Sequence, residues 1–196
     1  MSDVWRTLSA LGDSRWLLPM ALVLLITLPR ADVRLKWRWL LAIAVTAGVT
    51  LASKLAFMGW GIGIKSLHFT GFSGHAAMSS AVYPVVGGLL AGPGRRTRAT
   101  GLMFGAILAT AIAWSRVPLY AHSLSEVIAG LMLGLGCSAS TLCAPPPSKC
   151  PGGRNLLLSV LIGLMLPLSL PELSTHQLVK ALASTLGSPA MTIEER

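Results

Sequence analysis

Acidic residues are scarce in this sequence, with seven Asp and Glu against sixteen Lys and Arg over 196 residues, and charged residues make up only 12% of it. A chain so poor in charge, 53% hydrophobic and with a mean hydropathy of +0.68, is excluded from the ordinary soluble class and takes the bilayer as its solvent. Cysteine is also sparse. Cys137 and Cys143 fall in an apolar stretch and Cys150 in the connector after it, a layout with neither a disulfide framework nor a metal-ligand spacing, so all three are read as structural. The stretch Met1 to Gly12 lacks a basic region followed by an apolar core, which argues against a cleaved signal peptide and leads us to expect that the N-terminus is retained. Internal repeats, low-complexity tracts and a polar block large enough for a second core are absent, so residues 1–196 are read as one integral membrane domain. The net charge of +9 sits in short clusters between apolar segments rather than along one polar face, which argues against nucleic acid and for membrane topology.

Apolar runs predict an all-α, polytopic bundle of about six membrane-spanning helices: Trp16 to Pro29, Trp39 to Met58, His75 to Gly92, Ala99 to Trp114, Ser123 to Ala144 and Asn155 to Leu170. The first, fourth and sixth are shorter than the roughly 20 residues a span usually needs, so they must borrow interfacial residues or cross a thin region. Nine of the sixteen Lys and Arg residues lie in three alternate connectors: Arg30, Arg34, Lys36 and Arg38; Arg95, Arg96 and Arg98; Lys149 and Arg154. Because basic residues are retained on the cytoplasmic side during insertion, these connectors are expected inside. The connectors Gly59 to Gly74 and Ser115 to His122, with both termini, are then expected on the periplasmic or exterior face of the cell (inner) membrane. Leucines and Val179 at near-helical spacing predict an interfacial helix over 172–186, and Val4 to Leu11 carries a weaker signal of the same kind.

A charge at the centre of a membrane helix costs about 2.5–3.5 kcal/mol, so each ionisable group at membrane depth needs a reason. Lys54, Ser73-Gly74-His75, Ser115-Arg116, His122 and Glu126 all fall toward the outer face, and Glu126 is the only acidic residue between Asp32 and Glu172. That balance suits an anion. Phosphoryl transfer asks for a nucleophile, charge neutralisation and an acid for the leaving group. Ser73 and Gly74 precede a helix whose first N–H groups can hold phosphate oxygens, and Lys54 and Arg116 supply cations. If the fifth helix already includes His122, Glu126 at i+4 shares its face and can fix the imidazole tautomer, leaving the other nitrogen to attack. His75 remains as general acid.

Each part has a plainer alternative. Ser123-x-x-Glu126 matches a capping box, Lys54 can be a snorkelling anchor, Arg116 a headgroup contact, and His75 a polar residue at a helix start. His68 and His176 are read as incidental. His75, His122 and Glu126 also form a two-histidine, one-carboxylate set of the kind that binds metals, although Lys54 and Arg116 beside it would repel a cation.

Taken in order, these residues resemble the type-2 phosphatidic acid phosphatase superfamily, in its membrane lipid phosphatase branch. Ser115-Arg116, five residues, His122, three residues, Glu126 reproduces the spacing Ser-Arg-x5-His-x3-Asp, with Glu for Asp. Phe72-Ser73-Gly74-His75 is similar to Pro-Ser-Gly-His. In Lys-x6-Arg-Pro, Lys54 matches, but Gly61 and Ile62 stand where Arg and Pro belong. The resemblance implies that His122 is the nucleophile, forming a phosphohistidine, with Glu126 as its orienting partner and His75 as the acid. It makes Lys54, Ser73, Gly74 and Arg116 the phosphate-binding set, and it implies no metal or other cofactor. Lys65 is the candidate replacement for the cation missing at Gly61. The expected substrate is a lipid or polyprenyl phosphate, or diphosphate, drawn from the surrounding membrane lipids. A phosphotransferase using the same intermediate, or a non-catalytic lipid-phosphate binding or transport protein, are the alternatives.

Overall fold

The helices begin and end where backbone chemistry dictates. In the computed structural model, which describes residues 2–91, 94–143 and 153–169, a short α1 (Ser2–Ala10) turns at Leu11–Gly12 into α2 (Ser14–Thr27). Asp13 caps α2, its side chain accepting the Arg15 N–H, and Leu28-Pro29 ends it, since proline disfavours the helical conformation of the residue before it. A 3-10 turn at Arg30–Asp32 leads into α3 (Val33–Trp60), which stops at Gly61, whose φ of +68° is the left-handed cap that glycine takes without penalty. After a loop carrying a second 3-10 turn, Lys65–Leu67, come α4 (Gly74–Leu90), α5 (Arg95–Ser115), α6 (Leu124–Leu142) and α7 (Gly153–Ser169).

The described residues are helical without strands, and four stretches are long and apolar enough to cross a membrane: Asp3–Thr27, Val33–Trp60, Arg95–Ser115 and Leu124–Leu142. The first is divided at Leu11–Asp13 into α1 and α2. The fourth predicted span is longer than its apolar run, because α5 recruits Arg95 to Arg98 as its first turn. The expected helix at 172–186 and Cys150 lie outside the described residues, while Cys137 and Cys143 are free thiols.

Helix α4 is the axis of the bundle. Ala76, Ala77, Ser79, Ser80, Ala81, Val82 and Val85 along it are wholly buried, and α3, α5 and α6 pack around it. Close approach is made by glycine: a Cβ at Gly134 would lie 2.1 Å from the Ala77 carbonyl, and one at Gly101 would lie 2.1 Å from that of Gly87. Small residues of this kind let membrane helices approach to backbone contact. Ser79 and Ser80 return their hydroxyls to the carbonyls of His75 and Ala76, each at 2.6 Å, so α4 buries no unpaired hydroxyl there. Outside this core the helices expose Ile26, Trp37, Leu41, Phe104, Ile107 and Met132. Such a belt of large apolar side chains is stable facing lipid and a liability facing water.

Alternation of helix direction sorts the connectors. Arg38 on the first turns of α3 donates to the Ser140 carbonyl near the end of α6, whereas the candidate site residues gather where α6 begins. The 19 residues of α6 span roughly 28 Å at 1.5 Å per residue.

Candidate active site

Glu126 organises the end of the bundle where α4 and α6 begin. Its Oε2 accepts from His122 Nδ1 at 2.7 Å and from the Ser123 N–H at 3.2 Å. Its Oε1 takes the Thr70 N–H at 2.7 Å together with the Thr70 hydroxyl. Its own carbonyl accepts the Ser73 N–H at 3.1 Å, so the start of α4 is tied to the first turn of α6. Four donors around two carboxylate oxygens hold the group in place.

Helix α6 begins at Leu124, so His122 precedes the N-cap Ser123 rather than lying in the helix as the i+4 argument supposed. The pair forms nonetheless, because the capping turn returns the imidazole over the helix start. The capping box is also complete: Ser123 Oγ accepts from the Glu126 N–H while the Glu126 side chain accepts from the Ser123 N–H. Glu126 therefore both caps the helix and orients the histidine. Burial holds the His122 imidazole below the ordinary histidine range, the Glu126 carboxylate opposing this in part. The ring is thus neutral at pH 7, with Nδ1–H donated to Glu126 and Nε2 unprotonated.

A cavity of about 910 Å³ opens beside this ring. Lys54 from α3, Gly74 and His75 from α4, Arg116 at the end of α5 and His122 all line it, so five of the sequence-predicted residues converge on one space. Ser73 lies just behind them, fully buried, as the N-cap of α4. Leu18, Leu51, Phe57 and Met58 complete the wall with apolar surface. Lys65 does not share this space: it is exposed in the 3-10 turn of the α3–α4 loop and is not among the lining residues.

Three buried side-chain atoms here have no hydrogen-bond partner among the described residues: Thr50 Oγ1, Ser73 Oγ and Arg116 Nε. Buried polar groups are almost always satisfied, and two of these residues, Thr50 and Arg116, line the cavity. Among the described residues no group of three or more His, Cys, Asp or Glu is arranged to hold a metal ion. Both carboxylate oxygens of Glu126 are taken up by the donors of Thr70, Ser123 and His122.

Several contributors escaped the sequence reading. Thr70 reaches Glu126 across 56 positions, Ser53 Oγ fixes the Phe72 N–H at 3.1 Å, and the Ser9 hydroxyl accepts from the Arg116 guanidinium. Asp13, Ser14 and Arg15 line the cavity as well. None stands in a periodic or spaced pattern with the residues it serves, so no local signal pointed to them.

The PAP2 superfamily matches residues 61–149, a range that holds Ser73 to Glu126 and begins after Lys54. The "Uncharacterized 22.5 kDa protein in cps region" of Klebsiella pneumoniae is 39% identical over 193 residues, covering 93% of this chain and 91% of its own length. No solved structure matches.

Proposed function

The chain belongs to the PAP2 superfamily, a family of phosphatases acting on phosphate esters, and on that premise we propose that it is a membrane lipid phosphatase working through a phosphohistidine on His122. His122 Nε2 attacks phosphorus, the P–N bond forms and the bond to the lipid oxygen breaks. His75 donates a proton to that leaving oxygen, and Glu126 stabilises the imidazolium that develops. Water then attacks the phosphohistidine, giving up its proton to His75, and phosphate leaves with His122 restored. Lys54, Arg116, Ser73 and the unpaired N–H groups at the start of α4 hold the phosphoryl oxygens, whose charge redistributes in the transition state.

The observation that carries this reading is that Thr50 and Arg116, each with a buried polar atom that has no hydrogen-bond partner among the described residues, line the same cavity as His122, whose Nδ1 is engaged by Glu126. A lipid is supported by the mixed lining, in which Lys54 and Arg116 share one cavity with Leu18, Leu51, Phe57 and Met58. Phosphate release by the purified protein in detergent tests it, using phosphatidic acid, phosphatidylglycerol phosphate, undecaprenyl diphosphate and a lipid A phosphate with chelator present. Release from at least one substrate, abolished by His122→Ala, is expected. No release from any of them refutes hydrolysis, and transfer to an added acceptor lipid instead would identify a phosphotransferase.

The same reading sets the site at the outer face of the cell membrane, supported by Arg38 of the basic α2–α3 connector, which meets the end of α6 opposite the site. A cysteine introduced at Ser66 should react with an impermeant reagent in intact cells. Labelling only after the cytoplasmic face is opened would reverse the orientation.

A further inference from the structure

Helix α1 precedes residues 61–149, the range that the PAP2 superfamily matches, yet it is fastened to the site. It packs on α5, the helix that ends at Arg116, and its Ser9 is buried with only 5% of its surface exposed. Just beyond α1, a Cβ at Gly12 would stand 3.3 Å from His75 Cδ2 and 2.4 Å from Ile112 Cγ2, so only a residue without a side chain brings the turn this near. Two hydrogen bonds hold the segment in place. Tyr83 Oη donates to the Leu11 carbonyl at 2.7 Å, and Arg116 Nη1 donates to the Ser9 hydroxyl oxygen. Tyr83 stands outside the cavity, whereas Arg116 lines it.

The bond to Ser9 is the one hydrogen bond that the Arg116 side chain makes among the described residues, and its Nε is left without a partner. No carboxylate pairs with it. Both oxygens of Glu126 are engaged by Thr70, Ser123 and His122, and both oxygens of Asp13 by Arg15. A guanidinium is a planar fork of five N–H donors, so a bond at Nη1 restrains where the remaining donors point. The acceptor matters as much as the bond. A hydroxyl is neutral and orients the guanidinium without cancelling its charge, whereas a carboxylate in its place would compete with an anion for the same donors.

We propose that Ser9 is a positioning residue for Arg116: its hydroxyl holds the guanidinium ready for the phosphoryl group, which makes the N-terminal helix a working part of the site. The proposal rests on the phosphate-site reading above. Without the Ser9 oxygen, Arg116 Nη1 loses its acceptor and the side chain regains rotamer freedom in the empty site. The cost of ordering it then falls on the binding step, and phosphate binds more weakly although every group that touches it is still present.

The two fastenings of the segment separate this role from a merely structural one. Ser9→Ala removes the bond to the cation and keeps a good helix former in α1, whereas Tyr83→Phe removes the bond to the Leu11 carbonyl and leaves the cavity lining intact. Binding of inorganic phosphate to the full-length protein in detergent, measured by titration calorimetry, is expected to weaken at least about threefold in Ser9→Ala and to stay within about twofold in Tyr83→Phe. A smaller loss in Ser9→Ala would overturn the proposal. So would equal losses in the two variants, since the hydroxyl would then serve only to hold the segment. Lipid-phosphate hydrolysis on the same preparations separates this from the underlying reading. Phosphate binding that falls in Ser9→Ala, with no hydrolysis by the unsubstituted protein, removes the phosphatase and leaves the role of Ser9, whereas hydrolysis with phosphate affinity indifferent to Ser9→Ala does the reverse. A protein that binds no phosphate overturns both.

Discussion

Replacing Glu126 by Gln puts one nitrogen where four donors expect oxygen. If the amide nitrogen takes the Oε2 position it meets His122 Nδ1–H and the Ser123 N–H, and at the Oε1 position it meets both donors of Thr70. Either choice leaves buried donors facing a donor, at about 1–3 kcal/mol for the unsatisfied groups. The cheapest relief is for His122 to move its proton to Nε2 and accept the amide at Nδ1. That tautomer has no lone pair to attack with, and in serine protease triads the corresponding change costs on the order of 10⁴ in rate. For Glu126→Gln we therefore expect at least about a hundredfold loss in kcat, or roughly 2.7 kcal/mol, with KM little changed because the phosphate-binding groups are untouched. Thermal unfolding in detergent should fall by only a few degrees, since Gln also serves at the third position of a capping box. Steady-state phosphate release and a melting curve on one preparation suffice. A variant with kcat within twofold of the unsubstituted protein would refute the orienting role and leave Glu126 as a helix cap alone.

Because burial holds His122 neutral below the ordinary histidine range, kcat/KM should stay level as pH falls through about 6.5 and decline only at lower pH, where the nucleophile becomes protonated; a decline centred at or above that value would contradict the depressed pKa. Lys54→Met should lose at least about tenfold in kcat/KM, or roughly 1.4 kcal/mol, and Lys65→Met should stay within about twofold because its side chain is exposed and away from the cavity; equal losses would show that the loop carries Lys65 to the substrate. Gly134→Ala drives a Cβ to 2.0 Å from Ser80 Oγ and 2.1 Å from the Ala77 carbonyl, so it should destabilise the α4–α6 contact by about 1–3 kcal/mol in detergent unfolding. Gly136→Ala, with nothing within 4 Å, should be neutral or stabilising by up to about 1 kcal/mol, and the opposite ranking would refute the packing described.

The helices were legible because a bilayer imposes length and apolarity on its spans: the six apolar runs overlap α2 through α7, with α3 starting six residues before the run read from the sequence, and among the described residues four stretches rather than six are long and apolar enough to cross. Helix ends were less so, since α5 begins on Arg95, a residue whose charge marks it as connector. His122 and Glu126 were legible for a chemical reason. A histidine and a carboxylate four positions apart meet here although His122 precedes the cap of α6, so the pairing does not depend on the helix including His122. Partners that the fold brings in from elsewhere were not legible: Thr70 and Ser9 are ordinary polar residues until the chain places them against Glu126 and Arg116. Lys65, read as the additional cation, lies exposed in the 3-10 turn and is not among the residues lining the cavity. Nearness in sequence to Lys54 suggested it.

The central claim is that phosphorus passes through a covalent bond to His122. It is tested most directly by mixing the protein with a lipid phosphate labelled at phosphorus, quenching within milliseconds in alkali, and mapping the labelled residue by mass spectrometry. The account predicts a label on His122 that survives alkali, is lost in acid, and disappears in His122→Ala. Rapid turnover of the same substrate with the label on another residue, or with no labelled protein at any time, would contradict it.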